Sequence, residues 1–130
     1  VPSLLSAYAW LNTFRNHNKC YLAPGEFLFP GEDLFSLNKQ FCVRLQHDNN
    51  FAFYQMDSIR EIWRANVSSS ENPVFIAFMH PEGELLVTDN RYEVLWRSET
   101  AGNPGAKMQI TENGNLDILS SSGQLLQRLA

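Results

Sequence analysis

Apolar residues alternate with polar ones in three separate stretches of this 130-residue chain. From Leu45 to Tyr54, Leu45, Phe51 and Phe53 fall on one side of an extended backbone. Gln46, Asp48, Asn50, Ala52 and Tyr54 fall on the other, the period-2 signature of a half-buried strand. A straight strand would spread Gln46 to Tyr54 over roughly 26 Å. The Asp48-Asn49-Asn50 triplet instead predicts a turn and a returning strand, which lets the polar groups converge. In the second stretch Phe75, Ala77, Met79, Leu85 and Val87 take the core parity around the turn Pro81-Glu82-Gly83-Glu84. In the third, Met108, Ile110, Leu116 and Ile118 do so around Glu112-Asn113-Gly114-Asn115. Aligning the turns places Gln46, His80 and Thr111 in equivalent positions. Each unit then closes on a matching element: Ile62-Trp63-Arg64, Leu95-Trp96-Arg97, and Leu126-Gln127-Arg128, where the Trp is lost. Repetition at such a period means one supersecondary unit used three times, none able to bury its own face alone.

Ahead of the repeats, Cys20 to Glu26 and the echoing Phe29-Pro30-Gly31-Glu32 predict short strands punctuated by Pro-Gly turns. Residues 1–19 follow a different rhythm. Leu4, Ala7, Tyr8, Leu11 and Phe14 recur at helical spacing after Pro2 and Ser3, and Asn16-His17-Asn18-Lys19 would end the helix. The reading is therefore an N-terminal extension, 1–19, helical and packed by its apolar face on an all-β domain, 20–130. In that arrangement Trp10 could fill core volume where the third unit carries Gln127.

Composition narrows the function. The net charge of -4 lacks the basic face that nucleic acid or an anionic membrane requires. No apolar run approaches the ~18 residues of a membrane span. Motifs of hydrolases, zinc proteases and phosphate-binding loops are missing, and His17, His47 and His80 share no ligand spacing. Neither an enzyme, a metal site nor a cofactor is expected. Val1 is not an initiator Met, and Asn66-Val67-Ser68 is a glycosylation sequon in a Ser-rich loop, so secretion is the expected compartment. There, Cys20 and Cys42, if they lie on neighbouring strands, would form a disulfide contributing roughly 3 kcal/mol in the chain-entropy account.

Convergent acceptors and donors without a metal cluster suit a neutral polyhydroxylated ligand, because each sugar hydroxyl both donates and accepts. Gln46-His47-Asp48-Asn49-Asn50-Phe51-Ala52-Phe53-Tyr54 resembles the Q-x-D-x-N-x-V-x-Y site of the bulb-type mannose-binding lectins of monocots, departing from it at Ala52. The threefold repeat and the paired Pro-Gly-Glu turns resemble the same family over roughly residues 20 to 130. The resemblance implies a β-prism of three antiparallel sheets. It also implies that Asp48 and Asn50 hold a mannose 2-hydroxyl, Gln46 the 3-hydroxyl and Tyr54 the 4-hydroxyl, with Ala52 as a thinned apolar platform. The partner implied is mannose or a mannose-containing glycan. At the same places the second unit carries His80, Glu82, Glu84, Leu86 and Thr88, and the third Thr111, Asn113, Asn115, Asp117 and Leu119. Both read as degenerate: two carboxylates repel each other in the second, and Asp117 would face a sugar ring without a partner in the third. One shallow site binds a monosaccharide at about the millimolar level, so avidity would come from homo-oligomers or clustered glycans. The competing reading is a structural or protein-interaction module that kept the prism and lost the sugar.

Overall fold

Two successive Pro-Gly-Glu turns deal one short strand to each of three sheets. In the computed structural model, which describes residues 19–46, 50–67 and 73–130, these strands are β1 (Tyr21–Leu22), β2 (Phe27–Leu28) and β3 (Asp33–Phe35). The turns between them are copies of one another. The Glu26 N–H donates to the Ala23 carbonyl at 3.0 Å while the Glu26 carboxylate accepts from the Ala23 N–H at 2.8 Å. Glu32 repeats both bonds with Phe29, at 3.0 and 2.7 Å. Gly25 and Gly31 sit at φ 85° and 87°, the left-handed third position that a type II turn demands.

Each repeat supplies the other three strands of one sheet. The first comprises β4 (Phe41–Gln46), β5 (Asn50–Gln55) and β6 (Arg60–Arg64), in the order β3-β4-β5-β6. The second comprises β7 (Val74–Met79), β8 (Leu85–Asp89) and β9 (Val94–Arg97), in the order β2-β7-β8-β9. The third comprises β10 (Lys107–Ile110), β11 (Leu116–Leu119) and β12 (Leu125–Arg128), in the order β1-β10-β11-β12. Every described pairing is antiparallel. The expected all-β prism is the observed architecture.

Parity predicted the core. Leu45, Phe51, Phe53, Ala77, Met79, Leu85, Val87, Met108, Leu116 and Ile118 have no solvent exposure, and they join one cluster with Leu22, Leu28 and Leu34 from β1, β2 and β3. Phe75 is the exception. A bulge between Val74 and Ile76 shifts the register, so Val74 takes the buried place and Phe75 is only half-buried. The closing elements bring Trp63 and Trp96 edge to face at 5.8 Å, with Phe51 edge-on to Trp63 at 6.1 Å, a geometry favoured by the ring quadrupoles. Gln127, at the third place, is exposed. The helix expected over 1–19 and the core role offered for Trp10 lie outside the described residues, apart from Lys19. No helix among the described residues is long and apolar enough to cross a membrane.

The expected disulfide is not formed. Cys20 precedes β1 in the third sheet, where its carbonyl accepts from the Ile110 N–H at 2.8 Å. Cys42 lies in β4 of the first sheet, between Phe35 and Tyr54. Both thiols are free. The cysteines flank the Pro-Gly-Glu turns in sequence, but each turn moves the chain to a new sheet, which separates them in space.

Candidate functional site

The β4-β5 hairpin pairs Gln46 with Asn50, Arg44 with Ala52 and Cys42 with Tyr54, which puts all six on the outward parity of the first sheet. The three connecting residues, His47, Asp48 and Asn49, lie outside the described residues, so the position of Asp48 is not part of this geometry. Gln46 and Tyr54 meet: the Gln46 Nε2 donates to the Tyr54 hydroxyl. The expected convergence of an amide and a phenol from two strands is therefore present. Asn50, only 9% exposed, uses its Oδ1 to accept from the Phe51 N–H at 2.9 Å. This orients its NH2 as the donor it can offer a ligand.

Ala52 differs from expectation. It is fully covered, so the apolar platform assigned to it does not face solvent. Its cross-strand partners are Arg44 on β4 and Arg64 on β6, residues that the site motif does not include. Arg44 binds Asp33, with one contact at 2.8 Å, and Arg64 binds Glu61 likewise, at 2.8 Å. The bond to Asp33 pushes the Arg44 guanidinium above its ordinary value against the opposing effect of burial, while Arg64 holds the Glu61 carboxyl below its own. The two pairs cancel charge beside the amides and the phenol, leaving a face suited to a neutral ligand. A signal existed in the sequence: opposite charges at outward positions of strands that the hairpin pattern places side by side.

The alignment of repeats is exact in register. His80 and Glu84 bracket their turn by a backbone bond of 2.8 Å, and Thr111 and Asn115 do so at 2.9 Å, as Gln46 and Asn50 bracket theirs. The second and third sets also bond within the fold. His80 Nδ1 accepts from the exposed Glu82 N–H at 3.0 Å, Glu84 binds Arg97 at 3.2 Å, and Thr88 donates to the Asp89 carbonyl at 3.2 Å. The carboxylate of Glu84 is thus paired with a cation rather than set against Glu82. Thr111 Oγ1 accepts from the Asn115 N–H at 3.0 Å, and Asn115 Nδ2 donates to the Ala130 carbonyl at 3.2 Å. Asn113 is exposed at the turn tip. Asp117 is not without a partner, as the sequence reading supposed: buried at 4% exposure, it takes two guanidinium nitrogens of Arg128 at 2.9 and 3.2 Å. Among the described residues no group of His, Cys, Asp and Glu could hold a metal ion. Asn66 of the sequon is exposed just past β6, with φ 53°.

The resemblance to the bulb-type mannose-binding lectins read from the sequence extends to the fold, a prism of three antiparallel sheets shared with solved lectin structures. A lectin of Marasmius oreades superposes with a TM-score of 0.74 at 17% identity, covering 85% of this chain and 89% of that one. Monomeric monocot mannose-binding lectins of Gastrodia elata give 0.73 at 19% identity, over 86% and 97%. The mannose-specific agglutinin of snowdrop bulbs (Galanthus nivalis), complexed with methyl-α-D-mannoside, gives 0.69 at 26% identity, over 78% and 90%. No protein-family model and no curated protein sequence matches the chain.

Proposed function

We propose that this protein is a lectin that binds mannose or mannose-type glycans through the outer face of the β4-β5 hairpin, with Gln46, Asp48, Asn50 and Tyr54 as the contacting residues. One observation carries the reading: Gln46 and Tyr54, from opposite strands, meet through a hydrogen bond beside Asn50, so that an amide and a phenol converge on the outward parity of this hairpin. The snowdrop agglutinin and the Gastrodia lectins, described as mannose-specific and mannose-binding, support the ligand class. Binding proceeds by exchange. Gln46 and Tyr54 give up their mutual bond, and neighbouring ring hydroxyls take up the amide and the phenol in its place. The Asn50 NH2 donates to a third hydroxyl, and Asp48 accepts from it. With no cation required and both nearby arginines neutralised, the interaction is one of directed hydrogen bonds and is weak for one monosaccharide, about -4 kcal/mol. An extracellular setting is proposed on the exposed sequon Asn66.

A glycan array with the purified protein tests this. Mannose-bearing glycans should be retained by the native chain and lost by Gln46→Ala and Asp48→Ala. Retention by both variants, or no retention by the native chain, would reject the site. The near-complete burial of Asn50 and Ala52 favours one rival, a protein-interaction module on the same prism, which would give a folded protein that retains no glycan at all.

A further inference from the structure

The outer face of the second sheet departs from the other two. Phe27, Phe29, Phe75, Phe78, Tyr92 and Val94 surround an open cleft of about 520 Å³. The rings form an edge-to-face chain, Phe27 to Phe29 at 5.3 Å, Phe29 to Phe75 at 5.8 Å and Phe75 to Tyr92 at 6.0 Å. Tyr92 stands 68% exposed at φ 63°. It is held there by a turn in which the Asp89 carboxylate accepts from the Arg91 and Glu93 N–H groups at 2.8 and 3.0 Å. A non-glycine residue in the left-handed region is unfavourable unless its surroundings hold it, and here the turn presents an aromatic ring to the cleft. A contiguous apolar patch of this kind marks a place where something docks.

The occupant is suggested by where the chain enters the fold. Lys19 forms an ion pair with Glu26, whose neighbour Phe27 is a wall of the cleft. Lys19, the first described residue, is thus tied by its side chain to the turn that leads into β2, a strand that walls the cleft. The residues before it carry Leu4, Ala7, Tyr8, Leu11 and Phe14 at one helical spacing, with Arg15 and no carboxylate. As a helix, residues 1–18 would span about 27 Å, enough to lie across a sheet face. We propose that the apolar side chains of residues 1–18 seat in the aromatic cleft of the second sheet, making that face an intrachain docking surface where the repeat would otherwise present a sugar site.

The experiment is an NMR study of the full chain. Nuclear Overhauser contacts are expected between Leu4, Tyr8 and Leu11 and the rings of Phe27, Phe75 and Phe78. In Leu4→Asp/Leu11→Asp these contacts should vanish, the Phe75, Phe78 and Tyr92 resonances should move, and an added apolar dye should fluoresce several-fold more, while the core signals of Leu116 and Ile118 stay in place. Absence of the contacts in the native chain overturns the proposal, and so do cleft resonances that the double variant leaves unmoved. Contacts seen only between chains in a mixed labelled and unlabelled sample would assign the cleft to a second copy and overturn it too. Should the double variant fail to fold, the native contacts decide the matter alone.

Discussion

Replacing Tyr54 with Phe removes one oxygen and nothing else. That oxygen receives the Gln46 amide, and in the proposed complex it would bind a sugar hydroxyl. The ring is half-buried beside Cys42, across from it on β4, so its packing stays, and stability should change by less than about 1 kcal/mol, the net worth of a neutral hydrogen bond. Binding should respond more. Loss of one neutral bond to the ligand, worth about 0.5 to 1.5 kcal/mol, is roughly a 2- to 13-fold weaker affinity. From a millimolar starting point this moves the dissociation constant toward 10 mM on the order-of-magnitude scale. Because Gln46 and Tyr54 bond each other, Gln46→Ala added to Tyr54→Phe should weaken binding by less than the sum of the two single changes. NMR titration with methyl-α-D-mannoside reads both quantities, since an amide spectrum reports folding in the same tube. Unaltered affinity in a folded Tyr54→Phe protein, or strictly additive losses, would refute the claim that these two side chains act as one unit on the sugar.

Three further outcomes follow from the same geometry. Burial, aided by the Asp33 charge and opposed by Arg44, raises the Cys42 thiol from 9.0 to about 11. The folded state thus keeps a proton that the unfolded chain loses. The stabilisation is complete below pH 9 and disappears as pH climbs through 11, roughly 2 to 3 kcal/mol in all. Urea titrations at pH 8 and pH 10.5 should show this loss in the native chain and a smaller one in Cys42→Ala, and equal losses would contradict it. Phe51, with no exposure and its ring against Trp63 and Trp96, should cost about 3 to 5 kcal/mol when changed to Ala. A midpoint shift equivalent to less than 1 kcal/mol would show that the ring cluster does not hold the sheets together. Glycan retention should survive EDTA, and its loss on chelation would point to a cation that the proposed site does not use.

Period-2 alternation made the hairpins, their register and the buried parity legible, because a half-buried strand has no other way to place Leu45, Phe51 and Phe53 inward. Phe75 escaped that logic, since a bulge adds one residue to a strand without any mark in the hydrophobic pattern. The meeting of Gln46 with Tyr54 was legible too, because the turn between the two runs folds one outward row onto the other. Two other features were not. Arg44 and Arg64 enter only through cross-strand pairing with Ala52, and the Arg97 and Arg128 partners of Glu84 and Asp117 come from the closing strand of each unit. Linear order also misled the cysteine reading, since nearness in sequence says nothing once a turn carries the chain to another sheet.

The central claim is that one working sugar site per chain lies on the first hairpin, and an amide-detected titration of the native protein with methyl-α-D-mannoside tests it most directly. The account predicts a single saturable set of shifts confined to the β4-β5 hairpin, around Gln46, Asn50 and Tyr54, with a stoichiometry of about one per chain. Shifts centred on Glu84 or Asn115, more than one equivalent of sugar, or no shift at all would contradict it.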